Sequence, residues 1–94
     1  MPTEKDLQGF LLKKARAAGM LAYKVESIGQ RGFPDCVLIS QDGRVVFVEI
    51  KNPNGRGRLS IHQLEIIEKL EQYGANIYVI DSKAKALDIV EQYA

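Results

Sequence analysis

The chain has 94 residues, of which 46% are hydrophobic and 27% are charged. These proportions are typical of a globular protein and exclude a disordered, collagen-like or coiled-coil chain. The length predicts one domain over residues 1–94 with one core. No apolar run approaches the roughly 18 residues of a membrane span, and the polar start at 1–6 is unlike a secretory signal, so we expect a soluble, cytoplasmic protein. The single cysteine, Cys36, excludes an internal disulfide and is expected to be a core thiol.

The net charge of +1 is distributed unevenly along the chain. Basic residues are in excess up to residue 58, and acidic residues are in excess from residue 59 onward. Residues 51–58 contain Lys51, Arg56 and Arg58 without any acid, among Asn, Gly and Pro residues that predict a loop. A basic loop suits phosphate contacts, but the small total charge argues against a protein that coats nucleic acid. Any polyanion site should therefore be local.

Hydrophobic periodicity and turn residues divide the chain into seven predicted elements. In chain order these are a helix at about 4–18, strands at 21–27, 35–40 and 44–51, a helix from 60 to 74, a strand at 76–80 and a terminal helix. Thr3 is expected to cap the first helix, and Asp81 or Ser82 the last. Ser60 with Gln63 at the third helical position predicts a capping box for the second helix.

The order of these elements predicts the fold class. The first three strands can form an antiparallel meander, whereas a helix connects the third strand to the fourth and makes them parallel neighbours. Both faces of the hairpin at 35–51 are apolar over most of their length. A sheet that is apolar on both faces needs helices on both faces. We therefore expect a three-layer α/β/α fold with a mixed four-stranded sheet, in the order αβββαβα.

Three polar residues, Asp35, Glu49 and Lys51, interrupt strands that are otherwise apolar. Burial of such groups is costly. A three-residue loop at 41–43, with Gly43 in the left-handed conformation, places Asp35 opposite Glu49 and puts Lys51 on the same face. A loop one residue shorter would shift the register and send the two carboxylates to opposite faces. The length of the loop therefore decides whether these residues form a site.

Two carboxylates held close together repel each other, and either a shared proton or a hard divalent cation relieves the repulsion. Because Lys51 and the basic loop make the neighbourhood suitable for phosphate, we expect Mg²⁺ as the relief. A hydrated cation beside a phosphodiester can activate a bound water and neutralise developing charge. Lys51 would orient or deprotonate that water, or stabilise the pentavalent phosphorus.

Two further polar residues lie at the starts of predicted helices and point to the same place. Glu4 shares the apolar stripe of the first helix, and Gln63 begins the second helix near Lys51. Each also has a purely structural interpretation. An acid in the first helical turn favours the helix dipole by about 0.3–1 kcal/mol. Gln63 serves equally well as the partner of Ser60 in the capping box.

These residues form a pattern along the chain: Glu4, then Gly32-Phe33-Pro34-Asp35, Glu49-Ile50-Lys51, Ser60 and Gln63. The pattern resembles the PD-(D/E)XK nucleases, and more narrowly a standalone VRR-NUC domain of the viral or bacterial type, over residues 4–80. The resemblance implies a restriction-endonuclease-like fold and no organic cofactor. It also implies a site for Mg²⁺ or Mn²⁺ whose ligands are Glu4 (directly or through a water), Asp35, Glu49 and the Ile50 carbonyl. In that pattern Lys51 assists hydrolysis and Gln63 completes the site.

Standalone members of this family are similar to Holliday-junction resolvases, which cut branched DNA as homodimers. We therefore predict a metal-dependent DNA endonuclease that acts as a homodimer, with exposed apolar residues of the terminal helix as its interface. The expected DNA contacts are Lys24, Ser27, Arg31, Arg56, Arg58 and Ser60. The alternative is a noncatalytic nucleic-acid-binding module with a nuclease-like fold. The intact set of Asp35, Glu49 and Lys51 argues against it.

Overall fold

The computed structural model describes residues 2–25, 31–54 and 57–94. Its elements, in chain order, are α1 (Glu4–Ala17), β1 (Leu21–Lys24), β2 (Cys36–Ile39), β3 (Val45–Ile50), α2 (Ile61–Gln72), β4 (Asn76–Ile80) and α3 (Lys83–Tyr93). Each lies where the sequence predicted an element of that type. Ser82 caps α3, and Thr3 caps α1 through a capping box with Asp6. Within the described ranges, no helix has both the length and the apolar character needed to cross a membrane.

The four strands form one mixed sheet in the order β1-β2-β3-β4. The first three strands pair antiparallel, and β3 pairs parallel with β4. α1 packs against β1 and α3, whereas α2 packs over β4. Glu49 lies on the face of the sheet opposite to the core under α1, and Gln63 of α2 bonds to it. α2 therefore forms one helical layer, and α1 with α3 forms the other. The predicted three-layer α/β/α architecture and mixed sheet are confirmed.

Most of the core lies on the face of the sheet that α1 and α3 cover. Its members are buried apolar side chains of both layers: Leu7, Leu11 and Ala15 of α1, Cys36, Leu38, Val46, Val48 and Ile50 of the strands, and Ala86, Ile89, Val90 and Tyr93 of α3. Each fully buried leucine of this kind contributes about 1.5–3 kcal/mol. Cys36 is a core thiol as predicted, and burial raises its pKa to about 11. This face therefore supplies most of the stability of the fold.

The other face of the sheet is covered only in part. No residue of α2 is fully buried, and among the described residues this helix packs mainly over β4 rather than over β1 and β2. The register places Leu21, Ile39 and Val45 side by side there, with Tyr23 next to them. Leu21 is 54% exposed and Tyr23 is 52% exposed. We call these four residues the open sheet face.

The turn between β2 and β3 is a three-residue loop at 41–43. Ser40 donates its N–H to the Arg44 carbonyl at 2.9 Å, and Gly43 donates to the Ser40 carbonyl at 2.9 Å. Gly43 has φ +87°, the left-handed conformation expected of the last loop residue. Continuing the observed pairing of Cys36 with Val48 outward by one residue places Asp35 opposite Glu49. The predicted three-residue loop and its register are confirmed.

Gly32, in the segment before β2, packs closely against the backbone at the start of α2. It has φ +87°, and a Cβ at this position would lie 2.5 Å from the carbonyl carbon of His62 and 2.8 Å from the Gln63 nitrogen. Gly74 also has a positive φ, +81°, but a Cβ there meets nothing within 4 Å. The two glycines therefore separate the effect of backbone strain from that of a clash.

We expect Gly32→Ala to lower the free energy of unfolding by well over 2 kcal/mol, because it adds a backbone clash to left-handed strain. Gly74→Ala should cost only the strain, about 1–2 kcal/mol. Urea unfolding of both variants and the wild type measures the difference. Equal losses for the two variants would show that the segment at Gly32 is not packed against α2.

Candidate active site

Asp35 stands at the end of the β2–β3 hairpin that lies away from the turn. It directly precedes β2, and its carbonyl accepts a hydrogen bond from the Val25 N–H at 2.7 Å. Its side-chain Oδ2 accepts a second hydrogen bond, at 2.8 Å, from the N–H of Ile50 in the neighbouring strand. The carboxylate is thus fixed against β3, next to Glu49.

Glu49 is the most deeply buried acid of the described residues, with 2% of its surface exposed. Its Oε2 accepts a hydrogen bond from Gln63 Nε2 at 2.6 Å and lies 3.4 Å from Lys51 Nζ. Its Oε1 is buried and has no partner among the described residues. Burial, followed by the charge of Asp35, raises the pKa of Glu49 to about 7, and Lys51 offsets part of the rise. A second positive charge beside this oxygen would favour the ionised form.

Gln63 connects the start of α2 to both charged residues of β3. Its Oε1 accepts hydrogen bonds from the Ser60 N–H and from Lys51 Nζ, each at 2.9 Å, while its Nε2 donates to Glu49. The Ser60 hydroxyl in turn accepts from the Gln63 N–H, which completes a capping box. Both interpretations of Gln63 therefore hold at once. The helix cap fixes the amide, and the amide holds the ammonium and the carboxylate in place.

A cavity of about 260 Å³ opens next to Asp35, between it and the first turns of α1. Its lining residues are Glu4, Lys5 and Gln8 of α1, Lys24 at the end of β1, Asp35 and Ile50. Glu4 is exposed and faces this cavity from the first turn of α1, so it lies near Asp35 as the sequence predicted. Lys5 and Gln8 were not predicted. Gln8 lies one helical turn after Glu4, and that spacing could have indicated it.

The predicted DNA contacts lie at different places around this site. Lys24 lines the cavity, and Ser60 caps α2. Arg31 and Arg58 are exposed, and Arg58 follows Gly57, whose Cβ position would lie 3.2 Å from the Cβ of Lys51. The remaining two, Ser27 and Arg56, lie outside the described residues.

The residues present suit a hard divalent cation, although they do not form a closed metal cage. Residues 2–25, 31–54 and 57–94 contain no group of three or more His, Cys, Asp or Glu side chains gathered as for a metal ion. They do offer the adjacent carboxylates of Asp35 and Glu49, and the buried Oε1 of Glu49 lacks a partner. Mg²⁺ characteristically uses one or two carboxylates and keeps its other positions for water and phosphate. The donor set therefore fits Mg²⁺ or Mn²⁺.

Glu49→Gln should make the stability of the protein in EDTA less dependent on pH. The folded-state pKa of Glu49, about 7, lies above its ordinary value of 4.5, so the wild type loses stability between these two pH values as the unfolded chain ionises first. The difference in free energy of unfolding, variant minus wild type, should increase by up to about 3 kcal/mol between pH 4.5 and pH 7.5. Urea unfolding across this range measures the increase. Glu65→Gln, on an exposed part of α2, is the control, and a constant difference between Glu49→Gln and the wild type would contradict the prediction.

Comparison with known proteins assigns the chain to a family. The model of the VRR-NUC domain matches residues 3–84. A protein of Acyrthosiphon pisum secondary endosymbiont phage 1, named "Putative nuclease p44", is 32% identical over 80 residues, which cover 85% of this chain and 84% of that protein. A solved structure of a VRR-NUC domain superposes with a TM-score of 0.84 at 28% identity and covers 99% of this chain and all of that one. This chain therefore belongs to the VRR-NUC family of nuclease domains.

Proposed function

We propose that this nuclease domain is a metal-dependent endonuclease that hydrolyses DNA phosphodiester bonds. The observation that carries the proposal is the pair of facing carboxylates, Asp35 and Glu49, with a buried and unpartnered oxygen on Glu49 and the ammonium of Lys51 beside it. A buried carboxylate without a full set of partners is destabilising in its ionised form unless it takes up a proton or binds a cation. The pair therefore has a chemical reason to be present that a structural role does not supply.

Asp35 and Glu49 would hold Mg²⁺ or Mn²⁺, with the Ile50 carbonyl as a further ligand and Glu4 contributing from α1, directly or through a water. When bound, such an ion supplies the positive charge that neutralises the phosphate and lowers the pKa of an attacking water. The hydrogen bond from the Ile50 N–H keeps Asp35 aligned with β3. The elements that hold the carboxylates are strands of the sheet, so the site is preorganised before substrate arrives.

Lys51 is the residue that this chain offers for assisting hydrolysis. Its Nζ donates to Gln63 Oε1 at 2.9 Å and lies 3.4 Å from Glu49 Oε2, so the side chain has one defined position. An ammonium has three donors, and a donor left over from these contacts can bind the attacking water or a phosphate oxygen. Gln63 is a positioning residue, because it acts on the reaction through Lys51 and Glu49.

The proposal includes branched DNA as substrate and a second copy of the chain as partner. One small domain presents one such site, and symmetric cutting of two strands needs two sites related by a two-fold axis. α3 was expected to supply the interface, but its apolar residues face the core and Leu87 is its one exposed large apolar side chain among the described residues. The open sheet face is the better candidate for the dimer contact.

The surroundings of the open sheet face favour a protein partner there. Its own four side chains carry no charge. A separate groove of about 560 Å³, lined by Phe33, Lys69 and Tyr73 among others, lies along α2, and Tyr73 there is 90% exposed. The outer side of α2 carries Glu65, Glu68 and Glu71, which would repel a phosphate backbone. Large exposed apolar patches on soluble proteins commonly mark protein interfaces. We therefore propose that the open sheet face meets the same face of a second copy.

The alternative function, a noncatalytic nucleic-acid-binding module, explains less of the geometry. Such a module would bind phosphate through basic residues and would gain nothing from acids placed beside them. Burial and the charge of Asp35 raise the pKa of Glu49, so the ionised form of this carboxyl group is disfavoured in the folded state. A protein that only binds DNA would be more stable with an apolar or amide side chain at this position.

Asp35→Asn and Lys51→Ala should each lower the rate of cleavage of a four-way DNA junction at least 100-fold in Mg²⁺ or Mn²⁺, because each removes a group placed at the reacting phosphate. Product formation on a denaturing gel measures the rate, and EDTA should abolish it. Glu65→Gln on the outer side of α2 serves as the matched control and should cleave like the wild type. Binding of the junction by the wild type without any product in either metal would favour the binding module.

Replacing both Leu21 and Tyr23 by Lys should convert the proposed dimer into a monomer, because it places like charges in an apolar contact. Light scattering on the intact chain should give twice the chain mass for the wild type and the chain mass for the double variant. Leu87→Lys on α3, a comparably exposed position, should leave the dimer intact. A monomeric wild type at concentrations near 100 μM would contradict the prediction, as would loss of the dimer in the Leu87 variant.

A further inference from the structure

Two lysines line the cavity next to Asp35 without an evident structural role. Lys5 comes from the first turn of α1 and Lys24 from the end of β1, and both are exposed. Glu4 and Asp35 line the same cavity, yet neither lysine forms an ion pair or a hydrogen bond with any of the described residues. The cavity therefore combines two carboxylates and two ammonium groups that are not paired with each other.

Several other cations of the same layer are already engaged. Lys14 and Lys83 lie over the ring of Phe10, at 5.6 Å and 5.0 Å from its centroid. Lys85 pairs with Asp81 at 2.9 Å, and Arg16 donates to the Ala22 carbonyl. Lys5 and Lys24 thus differ from these neighbours in having no such contact within residues 2–25, 31–54 and 57–94. Their charge is available to a ligand.

The size of the cavity is compatible with a phosphate group as that ligand. At about 260 Å³ it is smaller than the roughly 300–1,000 Å³ typical of sites for drug-sized molecules. It accommodates a phosphate group and a few waters rather than a whole nucleotide. Ammonium groups bind phosphate as point charges, without a fixed fork geometry.

Gln8 adds a polar side chain to the lining of the same cavity. Its Nε2 donates to Cys36 Sγ at 3.4 Å, and a thiol sulfur is a weak acceptor. This contact holds the amide toward the cavity without satisfying it. A second N–H of Gln8 is left to donate to a phosphate oxygen.

We propose that Lys5 and Lys24, together with Gln8, bind the phosphate adjacent to the one that is hydrolysed. The DNA strand then crosses the first turn of α1 before it reaches Asp35 and Glu49. This inference rests on the proposed function, since it assigns the path of the same substrate. Lys5 and Lys24 act in substrate binding, and the chemical step remains with Asp35, Glu49 and Lys51.

The test measures DNA binding and cleavage separately for Lys5→Gln, Lys24→Gln and the double variant. Lys13→Gln is the matched control, because Lys13 is exposed on the same helix and does not line the cavity. Fluorescence anisotropy in EDTA, with a labelled four-way junction, gives the affinity at several salt concentrations. The slope of log K against log salt is negative, and we expect it to become shallower by about 0.9 in the double variant, the value for one phosphate contact.

In the cleavage assay with Mg²⁺, the double variant should raise KM about tenfold and leave kcat within about twofold. Lys5→Arg should bind like the wild type, because it keeps the charge. An unchanged salt slope in the double variant, or an equal decrease with Lys13→Gln, would overturn the inference. So would a fall in kcat with KM unchanged, because it would assign the lysines to the chemical step.

The binding assay does not depend on catalysis, so the two proposals can fail separately. A wild type that binds with the expected lysine dependence but never cleaves would leave the phosphate site standing and overturn the nuclease. A wild type that cleaves, with variants indistinguishable from it, would overturn the phosphate site alone. Absence of any DNA binding would overturn both.

Discussion

The burial of the Glu49 carboxylate opposite Asp35 is the constraint on which the rest of the site depends. Removing an ionised carboxylate from water costs several kcal/mol, and a second negative charge nearby adds to the cost. The strands hold the two groups in place nonetheless, because the backbone hydrogen bonds of β2 and β3 and the apolar residues next to them fix the register. The resulting site is electrostatically unfavourable on its own, and that is the property expected of a place where a cation is bound.

The residue that caps the start of α2 also positions two charged side chains of the candidate site. Gln63 satisfies the backbone at the start of α2 and at the same time bonds to Lys51 and Glu49. The close approach of Gly32 to the first turn of α2 keeps this helix end next to β2. Stability at the helix terminus and the geometry of the site therefore change together. A substitution that frays the start of α2 would also release Lys51.

The two faces of the sheet differ in what they contribute. The face under α1 and α3 is closed and holds most of the buried apolar side chains, so it accounts for the stability of the fold. The face under α2 is partly open, and Leu21 and Tyr23 remain about half exposed there. Glu49 lies on this second face, at the end where α2 begins, and Asp35 stands opposite it in the neighbouring strand. A partner that covered the open sheet face would complete the third layer of the fold without covering the cavity beside Asp35.

The sequence by itself predicted the seven elements and made the register of the hairpin depend on the length of one loop. Turn residues and periodicity act over a few positions, so they predicted a turn at 41–43, and the observed three-residue loop then places Asp35 opposite Glu49. The tertiary structure alone decided that Lys5 and Gln8 join Asp35, that Glu49 Oε1 lacks a partner among the described residues, and that Leu21 and Tyr23 of β1 stay about half exposed. These features depend on where each helix packs across the sheet. That placement follows from the fit of side chains far apart in the chain, which a local pattern does not encode.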